Sequence, residues 1–125
     1  MNNRNVILNL LAMAGFALSP MAQAVVPPPD GGYPGFNTAE GQNALFSRTT
    51  GVWNTALGAL TLFGDTTGNG NTAVGINVLR NNVAGGFNTG VGLNALYSNN
   101  GDPTNGDASF NSALGSGALF HNTTG

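Results

Sequence analysis

Few side chains in this sequence could carry out chemistry. The chain of 125 residues has one histidine, His121, and no cysteine. A serine nucleophile needs a histidine that an acidic group orients, and the four acids after residue 35 fall at different positions of the repeat described below. We therefore interpret His121 as a surface residue. We predict that the chain is not an enzyme, binds no cofactor and has no metal site.

The polar segment at residues 99–107 is the best candidate for a local contact site. It carries Asp102, Asn105 and Asp107 among turn-forming residues, and oxygen ligands in such a loop can bind calcium. The acids do not follow the alternate spacing of known calcium loops. We interpret the segment as a hydrated surface loop and keep these three residues as a candidate partner contact.

The composition excludes some classes of partner. Charged residues make up 6% of the chain, against roughly 25% in typical soluble domains. Lysine is absent and the basic residues are Arg4, Arg48 and Arg80, so a basic face for a nucleic acid cannot form. With 41% hydrophobic residues, the chain is also unlike a disordered one. Its uncharged amides and hydroxyls instead suit stacked ladders of side chains on a regular backbone.

Residues 1–24 have the features of a signal peptide. Arg4 precedes an apolar stretch at residues 6–18, Pro20 follows it, and residues 22–24 form an Ala-Gln-Ala cleavage site. The apolar stretch is shorter than the about 20 residues that span a bilayer. We therefore expect cleavage, a mature chain that starts at Val25, and no integral membrane segment in it.

A short leader separates the signal peptide from the repeats. Residues 25–35 contain three consecutive prolines and several glycines, which favour an extended spacer. We thus predict three parts: a signal peptide at 1–24, a Pro/Gly-rich leader at 25–35 and a repeat domain at 36–125.

The repeat domain is built from a 17-residue unit. The unit is clearest at residues 71–79, with the sequence N-T-A-V-G-I-N-V-L. Successive units start at Asn37, Asn54, Asn71, Asn88 and Asn111, so the intervals between them are 17, 17, 17 and 23. The last interval is one unit plus a six-residue insertion (23 − 17). A leucine recurs at the same phase, at Leu45, Leu62, Leu79, Leu96 and Leu119.

A short fixed period predicts a solenoid. Seventeen residues are too few for two packed helices, and the glycines of each unit disfavour a helix. They suffice for two short strands and two turns, because a strand rises about 3.3 Å per residue. We therefore predict an all-β fold, a parallel β-solenoid or β-roll of about five 17-residue coils.

Alternation along a strand predicts which side chains face the core. In the unit at residues 71–76, N-T-A-V-G-I, the Thr, Val and Ile share one face and the Asn, Ala and Gly share the other. We expect the Thr–apolar face to point inward, because it carries the larger apolar groups. We expect the Asn–Ala–Gly face to admit close approach of another backbone. The leucine column should form a second interior row.

Two further columns keep the phase of the repeat. An aromatic residue precedes the asparagine at Phe36, Trp53, Phe87 and Phe110. We interpret this column as corner packing and keep open an exposed row that contacts a glycan or a partner. A hydroxyl column follows the asparagine at Thr38, Thr55, Thr72, Thr89 and Ser112, where an exposed ladder could order water. The inward assignment favours an interior or interface position for it.

The motif N-T-A-V-G at residues 71–75 resembles the S-V-A-I-G repeat of trimeric autotransporter adhesin heads of the YadA type. The resemblance covers roughly residues 36–125, with a period longer than is usual in that family. It implies a left-handed parallel β-roll and three chains that associate side by side. The stalk and membrane-anchoring barrel of that family match no part of this sequence. Similar N-T-A-x-G repeats occur in large bacterial surface and fibre proteins, of which this chain could be a piece.

An export signal, five in-phase units and no catalytic constellation predict an exported structural or adhesive protein. We expect it outside the cell or at the cell surface, and at the outer membrane if an anchor exists. The expected partners are further copies of the chain, as a homotrimer, and a host or matrix ligand. The alternative is a secreted, monomeric β-solenoid that binds a small ligand or ice.

Overall fold

The computed structural model describes residues 32–100 and 108–123 of the chain. The predicted signal peptide lies outside these ranges, as do Asp102, Asn105 and Asp107 of the insertion. The regular structure of the described residues consists of strands and turns, with no helix. The prediction of an all-β fold with parallel strands is confirmed.

The strands form two sheets. In chain order they are β1 (Gly32–Tyr33), β2 (Asn37–Glu40), β3 (Thr55–Leu57), β4 (Thr72–Val74), β5 (Thr89–Val91), β6 (Ser98–Asn99), β7 (Ser112–Leu114) and β8 (His121–Asn122). The larger sheet has the order β1-β2-β3-β4-β5-β7, and β6 pairs with β8. β1 comes from the predicted leader and pairs antiparallel with β2, whereas the other pairs are parallel. This topology is consistent with a parallel β-solenoid.

The strand register repeats the period of the sequence. Thr55 pairs with Thr72 and Thr72 pairs with Thr89, so each pairing is offset by one repeat unit. Thr89 pairs with Ser112 at a larger offset, because the insertion lies between β5 and β7. Equivalent positions of successive units therefore stack about 4.8 Å apart and form continuous columns.

The turns use left-handed backbone at fixed positions of each unit. The leucine column has φ between 48° and 51°. This region costs a non-glycine residue roughly 1 kcal/mol or more, a cost that burial of the leucine side chain offsets. Gly58 and Gly75 have φ of 123° and 135°, and a Cβ on either would collide with the glycine backbone of the next unit. Glycine is therefore required directly after β3 and β4.

The apolar core consists of leucine and alanine side chains together with Val78. Leu62, Leu79 and Leu96 are fully buried, and Leu45 is nearly so. The buried alanines of the strands pack against them. The predicted interior leucine row is confirmed for these four residues. Leu119, in the last described unit, is 47% exposed.

We expect Leu79→Ala to lower the free energy of unfolding by about 2–5 kcal/mol, because it leaves a cavity inside the leucine column. Alanine keeps a Cβ, so the backbone strain at this position does not change. Leu93→Ala is the control, since Leu93 is 48% exposed and its truncation should cost less than about 1 kcal/mol. Urea unfolding followed by circular dichroism measures both variants, and equal losses would contradict a core built on this column.

Candidate functional site

The strand side chains point in the opposite direction from the sequence prediction. Asn71 and Ala73 are fully buried, whereas Thr72 and Val74 are half-buried and Ile76 is 51% exposed. The alanine or glycine at the centre of β3 and β5 is buried in the same way. The prediction of an inward Thr–apolar face is therefore wrong. That face points outward, and the Asn–Ala–Gly face lines the interior.

Hydrogen bonds of the asparagine column explain this reversal. Asn54 Oδ1 accepts from the backbone N–H of Asn71 in the next unit at 2.9 Å. Asn71 Nδ2 in turn donates to the Gly85 carbonyl at 2.9 Å. An amide bonded at both ends satisfies two buried backbone groups, which an apolar side chain cannot do. The requirement to pair backbone groups thus outweighs the preference for burying the larger apolar residue.

A second internal column also ties successive units together. It has the order Arg48, Asp65, Asn82, Asn99 and Asn122. Asn82 Nδ2 donates to Asp65 Oδ1 at 3.0 Å, and Asn99 Nδ2 donates to Asn82 Oδ1 at 3.0 Å. Burial raises the pKa of Asp65 to about 7, while hydrogen bonds from Asn82 and the Gly68 N–H act in the opposite direction.

Three columns of exposed or half-buried residues lie on the strands of the larger sheet or shortly before them, and we call these columns the outer face. The hydroxyl column is Thr38, Thr55, Thr72, Thr89 and Ser112. The aliphatic column, with one acid, is Glu40, Leu57, Val74, Val91 and Leu114. The aromatic column is Phe36, Trp53, Phe87 and Phe110, interrupted by Gly70. Such an extended surface with a single charge is the strongest candidate site on the described part of the chain.

The hydroxyl column is open to solvent. Thr38, Thr89 and Ser112 are exposed, and Thr55 and Thr72 are half-buried. Their hydroxyls make no hydrogen bond with other described residues. The stacked strands therefore hold a row of available hydroxyl groups about 4.8 Å apart.

The aliphatic column gives the outer face its apolar character. Leu57 is 37% exposed and Leu114 is 83% exposed, while Val74 and Val91 are half-buried between them. A contiguous apolar strip of this kind differs from scattered surface hydrophobics, because it can be covered by one partner. The aliphatic column is therefore suited to a protein contact.

The aromatic column is exposed, as the alternative interpretation of this row required. Phe36 is 87% exposed, Trp53 60%, Phe87 54% and Phe110 77%. The rings of Phe87 and Phe110 stack with centroids 5.3 Å apart. Trp53 does not stack on another aromatic ring of the described residues. Contact of this row with a glycan or a partner stays a prediction.

A separate aromatic stack lies outside the outer face. The rings of Phe46 and Phe63 are 5.3 Å apart, and those of Tyr97 and Phe120 are 4.9 Å apart. The guanidinium of Arg80 lies between the two pairs, 5.4 Å from the Phe63 ring and 5.9 Å from the Tyr97 ring. A planar cation can replace a ring in such a stack. Arg80 thus stabilises the stack through cation–π contact.

Metal-binding residue types do not cluster in residues 32–100 and 108–123. No group of three or more His, Cys, Asp or Glu side chains lies close enough there to hold a metal ion, and no cavity was found. His121 is exposed and contacts the edge of the Phe120 ring. No helix in these ranges is long and apolar enough to cross a membrane.

Comparison of the chain with known protein families, curated proteins and solved structures found no match. The similarity to autotransporter adhesin heads therefore rests on the repeat motif. Function has to be inferred from the geometry of the outer face.

Sequence reasoning missed the internal asparagine columns. Asparagine opens all five units, whereas the aliphatic column contains Glu, Leu and Val. A polar residue that never varies while its neighbours vary is expected to be hydrogen-bonded in the interior. This uniformity was the signal that could have located the asparagines correctly.

We expect Thr72→Val to change the free energy of unfolding by no more than about 0.5 kcal/mol, because it alters an outward side chain of the same shape. Thr61→Val is the matched comparison. Thr61 is fully buried and its hydroxyl donates to the Gly58 carbonyl at 2.8 Å, so its loss should cost about 1–2 kcal/mol. Chemical denaturation of both variants measures the difference. A larger loss for Thr72→Val would place the hydroxyl column in the interior.

Proposed function

We propose that this protein is an exported structural or adhesive β-solenoid that associates with further copies of itself through the outer face. The outer face is the observation that carries the proposal. It combines an exposed aromatic column, a hydroxyl column and an aliphatic column, with Glu40 as its one acid.

The composition of the outer face favours association between copies of the chain. Apolar side chains such as Leu57 and Leu114 are removed from water when two faces meet. Near-absence of charge means that identical faces do not repel one another. Both copies also carry the same repeat period, so their columns can align along the whole sheet.

Three copies side by side is the arrangement that the likeness to adhesin heads favours, with about five left-handed coils in each chain. Such an array holds an extended surface rigidly, since every unit is bonded to the next. The signal peptide at residues 1–24 supports a location outside the cell or at its surface. The exposure of Trp53, 60%, supports contact with a matrix or host ligand such as a glycan.

Leu114→Glu tests the association. Leu114 is 83% exposed, so the variant should fold, but a carboxylate would be buried without a partner in the assembly. We expect the dissociation constant of the oligomer to rise about tenfold or more. Analytical ultracentrifugation of the full chain over a range of concentrations measures it.

Val83→Glu is the matched control for this experiment. Val83 is 52% exposed and lies outside the outer face, so the same added charge should leave the association unchanged. Equal weakening by both variants would assign the effect to net charge. A wild-type chain that stays monomeric at high concentration would overturn self-association through this face.

The outward hydroxyl column favours a second candidate function, binding of ice or ordered water by a monomer. A flat row of hydroxyl and methyl groups about 4.8 Å apart can hold water molecules in a regular arrangement. This function predicts thermal hysteresis in a solution of the monomeric protein, and its loss in Thr72→Lys. Hysteresis that survives this substitution, or none in the wild type, excludes the hydroxyl column as an ice-binding surface.

A further inference from the structure

Asp65 interrupts the pattern of donors in the second internal column. In neighbouring units the side chain at this position donates to the carbonyl of the turn residue that closes its unit: Arg48 to Gly51 at 3.2 Å, Asn82 to Gly85 at 2.8 Å and Asn99 to Ala108 at 2.8 Å. Gly68 is the corresponding turn residue for Asp65. An ionised carboxylate has no hydrogen with which to continue this pattern.

The orientation of the Asp65 carboxyl group is fixed by two donors. Its Oδ1 accepts from Asn82 Nδ2 at 3.0 Å and from the Gly68 N–H at 3.2 Å. Asn82 Oδ1 accepts from Asn99 in the same manner, so Asp65 Oδ1 occupies the place of the amide oxygen. Asp65 Oδ2 therefore stands where the asparagines have their donor nitrogen. This atom is buried and has no hydrogen-bond partner.

The Gly68 carbonyl makes the place of Oδ2 unfavourable for a negative charge. That carbonyl accepts one hydrogen bond from Asn54 Nδ2 at 2.8 Å, as the Gly85 carbonyl does from Asn71. The Gly85 carbonyl receives a second bond from its own column, which Gly68 can receive only if Oδ2 carries a proton. An ionised Asp65 would instead set two acceptor oxygens together in the interior.

We propose that Asp65 is held as a neutral carboxylic acid whose Oδ2–H donates to the Gly68 carbonyl. Protonation of this one side chain thereby stabilises its repeat unit in the folded chain. Ionisation removes that hydrogen bond and places a buried charge beside a carbonyl oxygen. The stability of the fold therefore depends on pH through a single internal side chain.

No cation compensates an ionised Asp65 in the described part of the chain. Arg48, one unit earlier in the column, directs its guanidinium to the carbonyls of Thr49 and Gly51. Asn82, one unit later, is uncharged. Arg80 lies in the aromatic stack, and Glu40 belongs to the outer face. Burial raises the pKa of Asp65 from 3.8 to about 7, as expected for a buried carboxyl without a nearby compensating cation.

The direction of the pH dependence follows from that shift. At a pH well below 3.8 the carboxyl is protonated in both the folded and the unfolded chain. As the pH rises from 3.8 to about 7, the unfolded chain ionises while the folded chain keeps its proton, so stability falls. Above about pH 7 both forms are ionised and the loss is complete.

The test compares the wild type with Asp65→Asn in the full chain from pH 3.5 to 8.5. Asparagine restores the donor found in the other units and does not titrate. We expect the folding equilibrium constant of the wild type to fall about a thousandfold relative to that of the variant between pH 4 and pH 8. Urea unfolding at each pH measures both constants.

Two controls separate this position from other acids. In Asp65→Asn/Asn82→Asp the carboxyl moves one unit along the column, and the pH dependence should return. Glu40→Gln removes the other acid of the described residues, and the loss of stability between pH 4 and pH 8 should persist in this variant.

Carbon-13 NMR of the Asp65 carboxyl in the wild type gives a measurement that needs no variant. We expect its chemical shift to titrate near pH 7. A shift that titrates near pH 4, or parallel stability profiles for the wild type and Asp65→Asn, would overturn the proposal.

Discussion

In-register stacking is the constraint on which the rest of this molecule depends. Because strands pair at an offset of one unit, each side chain meets its own equivalent in the units before and after it. A residue type is favoured when it bonds or packs with a copy of itself. Asparagine, leucine, alanine, threonine and aromatic rings satisfy this condition, whereas like charges in one column repel. The low share of charged residues, 6%, agrees with this rule. Arg80 stands alone among aromatic residues, and the second internal column holds one base and one acid, Arg48 and Asp65, but no two like charges.

Those parts of the fold that follow from periodicity could be predicted from the sequence. The recurrence of Asn71 and its equivalents fixed the strand register, and the leucine column was correctly placed in the interior for Leu45 to Leu96. The orientation of the strands could not be predicted by asking which face is more apolar. In a unit this narrow, turn carbonyls and strand N–H groups lie inside, and amide side chains have to pair with them.

The same reversal decides where the candidate site lies. Since the amides occupy the interior of the strands, Thr72, Val74 and their equivalents are left on the surface. The larger sheet therefore has a hydrogen-bonded inside and a partly apolar outside, unlike a sheet that buries one hydrophobic face. The aromatic row of Phe36, Trp53, Phe87 and Phe110 could be located by phase alone, but its exposure depends on this arrangement.

The insertion between β5 and β7 shows how such a chain can change in length. The sequence offset between paired strands increases there by the length of the insertion, and Ser112 still pairs with Thr89. The extra residues between β5 and β7 thus leave the pairing of these two strands in register. Removal of one residue within a strand would instead exchange the inward and outward positions of everything beyond it in that strand. The side-chain columns therefore depend on the number of residues within each strand, and a longer segment between two strands leaves them in place.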